Sequence, residues 1–453
     1  MQTPQVGGGV VQRVLFVHPE PATRLQRHAM ALSQTGIEVH LAAKHIRPMF
    51  ETDMFASVFD YSRPKGRLNH ILNDWFKLER KVLLEHIRRL RPDVVHVMHW
   101  LRLSDDLVLR AARAGIPALV TLSDHLTSCL LTLRVHPQRR APCAELQSAA
   151  VCLACAAGVP PLTPWVPAEQ QMILFGERRA HLERELSLAR FRIVPSLAHG
   201  EALAGVTGRS QSALVIPPAR AGRLSPRAPL VAPAADQPLR LGLWSGGAPA
   251  KGAALILRAL VKVVSAGVAA PIELHLAGGQ PLDESSLALP PGLTCIQHGP
   301  FAPGELGQHP VTRVHAALVG SLAPESYALV ADEAFELGLP MVLPSAPALL
   351  ERFRDLPGVE FYDQANEESL TRVLSGLCTR VPPVPAARAD IGPDLEAITA
   401  LHVDLWERAR AASAPEGVPA ESWFESRVRT QALASWDRQC SETSAAELGI
   451  GNG

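Results

Sequence analysis

The sequence has no net charge: 44 basic residues face 44 acidic ones across 453 positions. A chain without excess positive charge lacks the electrostatic footprint of a generic nucleic-acid binder. It has no repeats and no low-complexity tracts. With 47% hydrophobic, 19% charged and 5% aromatic residues it is neither disordered nor collagen-like. It also lacks a long apolar run. The longest uncharged stretch lies between Glu145 and Glu169 and carries Pro160, Pro161, Pro164 and Pro167, which no lipid-exposed helix tolerates in series. The N-terminus (MQTPQVGGGVVQRV) shows no basic start followed by an apolar core, so no signal peptide is expected and a cytoplasmic location is the default. The seven cysteines are then expected as thiols or metal ligands rather than disulfides.

What is present divides in two. Up to Val215 there are 26 basic and 18 acidic residues, a net of +8; the remainder has 18 and 26, a net of −8. Ordinary surface variation would explain this. So would a two-domain chain whose first domain meets something anionic. The length suits two or three domains at about 150 residues each. In the first half, short apolar runs read as strands: Arg13–Val17, Glu38–Ala42, Val94–Val97, Ala118–Leu122 and Arg192–Pro195. A helical stretch around Leu25–Gln34 separates the first two. Residues Pro217 to Gln237 are rich in Pro, Ala and Arg and read as a linker. The pattern then restarts with Leu239–Trp244, Ile272–Leu276, Val314–Val319, Met341–Leu343 and Val359–Tyr362. Short buried strands alternating with helices argue for an α/β protein with two successive doubly wound domains. The tail from Leu395 to Trp436 is helical in pattern, with a break near Ala414–Pro419. Two such domains facing each other form a cleft, and ligands gather at the C-terminal ends of parallel strands.

The strongest motif is PESYALVADEAFELGLPMVLP at 324–344. A helix is expected from near Tyr327 to the Gly338-Leu339-Pro340 stop. Glu325 then precedes the helix at its positive end, and Glu333 lies two turns in. Free amides near Tyr327, Ala328 and Leu329 suit phosphate oxygens. Carboxylates at either end of such a site can accept hydrogen bonds from sugar hydroxyls. Two solvated glutamates on an ordinary helix are the bland alternative.

The segment resembles the donor-binding motif of retaining GT-B glycosyltransferases of family 4: a Glu, seven residues, a second Glu, then Ala and a Gly-X-Pro before an apolar strand. Other stretches are similar to that family too: Pro92-Asp-Val-Val-His96, Val194-Pro195-Ser196, and Gly242-Leu-Trp-Ser-Gly-Gly-Ala-Pro-Ala-Lys251-Gly252. The resemblance implies a GT-B fold, two doubly wound Rossmann-like domains facing across a cleft. It places an acceptor-side domain at 1–215 with a Cys-containing loop at 126–170, a nucleotide-sugar domain at 216–395, and C-terminal helices at 396–453 packing back on the first domain. Glu325 would contact the donor sugar and Glu333 the nucleotide ribose. Lys251 would neutralise the leaving diphosphate, with Asp124 in the cleft. The implied donor is a UDP- or GDP-sugar, and the implied acceptor a hydroxyl of a glycan or lipid-linked glycan. Transfer would proceed with retention, in making cell-surface polysaccharide. No metal is implied, and no Asp-X-Asp pair lies near a strand end; Asp105 and Asp106 read as surface. Three positions depart from the family. Its phosphate Arg falls at Ser245 or Gly246, its Gly-Gly loop reads Pro19-Glu20-Pro21-Ala22-Thr23-Arg24, and its cleft His-Asp pair reads Ser123-Asp124, followed by His125. The alternative is a non-catalytic relative acting as a partner or scaffold subunit. A sugar-nucleotide epimerase of the same fold is the third option.

Three further features stand out. Cys129, Cys143, Cys152 and Cys155 have 13, 8 and 2 intervening residues, so they are either structural zinc ligands or ordinary thiols. Lys77–Arg91 holds six basic and two acidic residues. It is either a solvated helix face or a patch for peripheral contact with anionic lipid on the inner face of the membrane. His96 and His99 flank a strand end and read as packing.

Overall fold

The computed structural model describes residues 10–18, 29, 31–43, 52–60, 86–100, 106–129, 131–136, 138–143, 147–157, 180–207, 213–219, 224, 233, 237–267, 271–279, 281–282, 288–301, 304–380 and 393–420. Two parallel sheets organise them. The first contains β1 (Arg13–His18), β2 (Glu38–Ala43), β3 (Ser57–Asp60), β4 (Val94–Val97), β5 (Ala118–Thr121), β8 (Phe191–Val194) and β9 (Leu214–Val215). Their order is β3-β2-β1-β4-β5-β8-β9. The second contains β10 (Leu239–Leu243), β11 (Ile272–Leu276), β12 (Leu293–Gln297), β13 (Ala316–Leu318), β14 (Met341–Pro344) and β15 (Val359–Tyr362), in the order β12-β11-β10-β13-β14-β15. Every pairing given within these two sheets is parallel.

The central strands are apolar on both faces, as a sheet covered twice requires. All four residues of β4 (VVHV) are buried. Strand order reverses between β1 and β4 and again between β10 and β13, so each sheet has a switch point where a crevice opens at the strand C-termini. Elements absent from the sequence expectation are β3, β9, β12 and the small antiparallel hairpin of β6 (Val135–His136) and β7 (Ala141–Pro142). β12 (LTCIQ) is an edge strand, largely part-exposed, so no continuous apolar run marks it. Of the expected helix at Leu25–Gln34, residues 29 and 31–34 are described, and 29 and 31–33 are helical; the loop Pro19–Arg24 lies outside the described residues and the linker at 217–237 largely so.

One surface expectation is corrected. Asp106 is buried at 4% exposure and pairs with Arg110 at 3.0 Å in α1 (Leu107–Arg113). Asp106 does not cap that helix by its side chain. The fully buried Glu185 does so instead, taking the amides of Val108 at 2.6 Å and Leu109 at 2.8 Å. Burial pushes its carboxyl up to about 7 against those two donors.

In the second sheet, α4 (Ala253–Ser265) follows β10 through a 3₁₀ turn at Pro249–Lys251. Gly252 caps α4 at φ 70°, and a Cβ there would collide with the Gly320 carbonyl. The glycine after Lys251 is thus set by close packing of two strand exits. After the second sheet, α8 (Leu395–Ala411) lies on the first. Its Ile398, Leu405 and Trp406 share an apolar cluster with Val14, Phe16 and Leu119. The Trp406 and Phe16 rings meet edge to face at 5.8 Å. Among the described residues no helix is long and apolar enough to cross a membrane.

Candidate functional site

At the switch point of the second sheet, the exits of β10 and β13 diverge around a cavity of about 260 Å³. Ser245 and Lys251 line it from the β10 side, Ser321 and Glu325 from the β13 side, and Tyr327 to Val330 close its end. Pro195 and Pro218 complete the wall from the first-sheet side. Lys251, Glu325, Tyr327, Ala328 and Leu329 therefore share one cavity. Lys251 Nζ stands 2.9 Å from Glu325 Oε1, with Glu325 11% exposed and Lys251 41%. The expected ammonium and the first of the two carboxylates are thus in contact.

The helix after this segment, α5, spans Leu329–Glu336 and starts two residues later than the sequence suggests. Ala328 precedes it in the left-handed region, at φ 69° and ψ 79°. Arg352, in α6 (Pro347–Phe353), donates to the Tyr327 carbonyl, and its guanidinium lies 3.7 Å over the Tyr327 ring. Tyr327 lies in the core, at 4% exposure, and the residue after it is left-handed instead of helical. Glu333 does not line the cavity; its Oε2 accepts from the indole N–H of Trp244 at 2.9 Å.

The first sheet faces this site with the C-terminal ends of β4 and β5. Asp124 Oδ2 lies 2.6 Å from His99 Nε2, and Oδ1 accepts from the Leu126 amide at 2.9 Å. Burial alone would raise the Asp124 carboxyl, but His99 and the Leu126 amide hold it below its ordinary value. His99 is therefore a partner of the cleft carboxylate, not the packing residue expected from its spacing. The strand order β1-β4-β5, which the sequence does not display, is what brings the two together. His96, by contrast, is fully buried against Phe16 and hydrogen-bonds Thr121 at 2.8 Å.

The two halves touch at the motif itself. His125, kept neutral chiefly by burial, donates from Nε2 to the Pro324 carbonyl at 2.8 Å. The Ser326 hydroxyl donates to the Ser123 carbonyl at 2.7 Å, and the Ser196 hydroxyl to the Ser326 carbonyl at 2.8 Å. Glu351 of α6 accepts the amides of Leu197 at 3.2 Å and Ala198 at 2.8 Å, at the start of α3 (Leu197–Thr207).

The four cysteines do not form a metal centre. Each is half-buried, and among the described residues no three His, Cys, Asp or Glu side chains are placed to hold a metal ion. Burial, then the neighbouring Cys129 and Cys143, raise the Cys155 thiol, so three of the four share one neighbourhood. Of the basic stretch Lys77–Arg91 only residues 86–91 are described; Ile87 is in the core, and Arg88 and Arg89 are exposed.

No family model matches the sequence, and no curated protein does. Solved structures do. Anabaena HepE in complex with UDP and glucose has a TM-score of 0.52 at 15% identity, covering 88% of this chain and 97% of that one. Sucrose-phosphate synthase from Thermosynechococcus elongatus has 0.50 at 14% identity, covering 95% and 100%. A glycosyltransferase from Rickettsia africae has 0.50 at 12% identity, covering 94% and 98%. At these identities the likeness establishes the fold: GT-B, with two Rossmann-like domains.

Proposed function

We propose that this chain is a glycosyltransferase that moves a sugar from a UDP- or GDP-linked donor to a hydroxyl of a glycan or glycolipid. The observation that carries this is the cavity shared by Lys251, Glu325 and the opening turn of α5. The cavity sits at a switch point, where doubly wound sheets bind their ligands. HepE, of similar fold, was solved with UDP and glucose.

The donor diphosphate lies against the α5 amides, where backbone N–H groups and the helix dipole favour negative charge. An arriving diphosphate draws the Lys251 ammonium away from Glu325. Lys251 then stabilises charge on the leaving phosphate as the glycosidic bond breaks. The released Glu325 carboxylate accepts hydrogen bonds from the sugar, and hydroxyl contacts of this kind fix orientation. Glu333, hydrogen-bonded to Trp244, is left to the ribose. Asp124 lies on the acceptor side, with the first domain presenting the acceptor. The leaving phosphate takes the proton of the incoming hydroxyl on the same face, which gives retention. The product class is cell-surface polysaccharide or glycolipid, made on the cytoplasmic side.

The test is thermal unfolding against a panel of nucleotide sugars. A ligand at 100 times its dissociation constant stabilises by about 2.7 kcal/mol. Glu325→Ala should remove the extra stabilisation of the sugar nucleotide over the bare nucleotide. No response to any nucleotide would refute the proposal. Nucleotide binding without transfer or donor hydrolysis would mark a non-catalytic relative instead.

A further inference from the structure

Asp332 and Arg352 form a buried ion pair beneath the cavity, with side chains 2% and 11% exposed. Such a pair is weak evidence for stability, since apolar residues of the same shape often serve as well. What distinguishes this one is its hold on the backbone of the donor motif. The Arg352 guanidinium stacks 3.7 Å over the Tyr327 ring, donates through Nη1 to the Tyr327 carbonyl, and donates through Nη2 to the Asp332 carboxylate. It is gripped on one face and along its edge, and a planar fork can make all three contacts at once.

Those contacts have a geometric consequence. The described chain holds no cis peptide bond, and in a trans peptide the carbonyl and the following N–H point to opposite sides. The Tyr327 carbonyl is turned toward Arg352, which does not line the cavity. The Ala328 N–H is therefore turned away from Arg352, and Ala328 itself lines the cavity. Ala328 holds this orientation at φ 69°, a conformation that crowds the Cβ of any L-residue and persists only where neighbours over-determine it.

We propose that Arg352 is a positioning residue that aims the Ala328 amide, followed by those of Leu329 and Val330, at the donor diphosphate. This rests on the nucleotide-sugar proposal and adds to it a side chain that touches neither substrate. Its charge is neutralised by Asp332, so it acts through geometry and not as a phosphate-binding cation.

The test compares wild type with the double variant Arg352→Met/Asp332→Leu, which leaves no orphaned buried charge, and with Arg352→Lys, which keeps a cation but loses the fork. UDP and GDP are titrated by calorimetry, and uridine and guanosine by ligand-observed NMR. Wild type should bind one of the diphosphates. The double variant should bind it at least tenfold more weakly while keeping nucleoside affinity and thermal midpoint. Arg352→Lys should behave likewise, and carries the test alone if the double variant does not fold. Diphosphate affinity unchanged in both, or diphosphate and nucleoside weakened by the same factor, would overturn the assignment. If wild type binds neither diphosphate, the donor proposal itself fails, and Arg352 falls with it.

Discussion

Replacing Ala328 with glycine should stabilise the protein, although it deletes a methyl group. Ala328 sits at φ 69° and ψ 79°. In that region the Cβ of an L-residue presses on the following carbonyl at a cost of about 1–2 kcal/mol. Glycine avoids this but frees the unfolded chain by roughly 0.4–1 kcal/mol. The difference spans about 0–1.6 kcal/mol, with a central gain of roughly 0.8 kcal/mol. For a domain of this size the central value corresponds to a rise of about 2–3 °C in the unfolding midpoint. Ala331, three residues on, is a fully buried position inside α5, so Ala331→Gly should lose about 1 kcal/mol or more. Urea unfolding of both variants beside wild type decides the matter. Opposite signs are expected. If Ala328→Gly destabilises as much as Ala331→Gly, the turn before α5 is not left-handed, and the orientation argued for its amide is wrong.

Two other perturbations probe the first domain. The Glu185 carboxyl is pushed from 4.5 up to about 7 by burial, so the folded state holds its proton more tightly than the unfolded chain does. Its contribution to stability is full below about pH 4.5 and is lost as pH rises through about 7, on the order of 3 kcal/mol for a shift of this size. Glu185→Gln should flatten that fall in urea midpoints between pH 4.5 and 7.5; an unchanged slope would contradict it. Trp406 is fully buried between α8 and the first sheet. Trp406→Ala should cost about 3–5 kcal/mol and open α8 to proteolysis; a loss under 1 kcal/mol would mean that α8 is not docked there.

Much of the architecture was legible because parallel strands buried on both faces leave apolar runs that no surface segment mimics. VVHV at 94–97 and MVLP at 341–344 are of this kind. β12 escaped because an edge strand needs no such run. Glu325 and Lys251 could be marked by the residues around them, Pro324 before the one and Gly252 after the other. The rest of the site is built from contacts between residues far apart in sequence. Asp106 next to Asp105 looks like surface until Arg110 and the carboxylate of Glu185 are brought beside it. His99 and Asp124 meet only because β4 and β5 are neighbours. Arg352 reaches Tyr327 from α6, and α5 starts at Leu329 instead of near Tyr327.

The central claim is that a nucleoside diphosphate occupies the cavity between Lys251 and the first turn of α5. Calorimetric titration of UDP and GDP into wild type and Lys251→Met tests it most directly. Saturable one-site binding of one of the two to wild type is predicted, weakened at least tenfold in the variant. Absence of binding to wild type, or equal affinity in the two proteins, would contradict it.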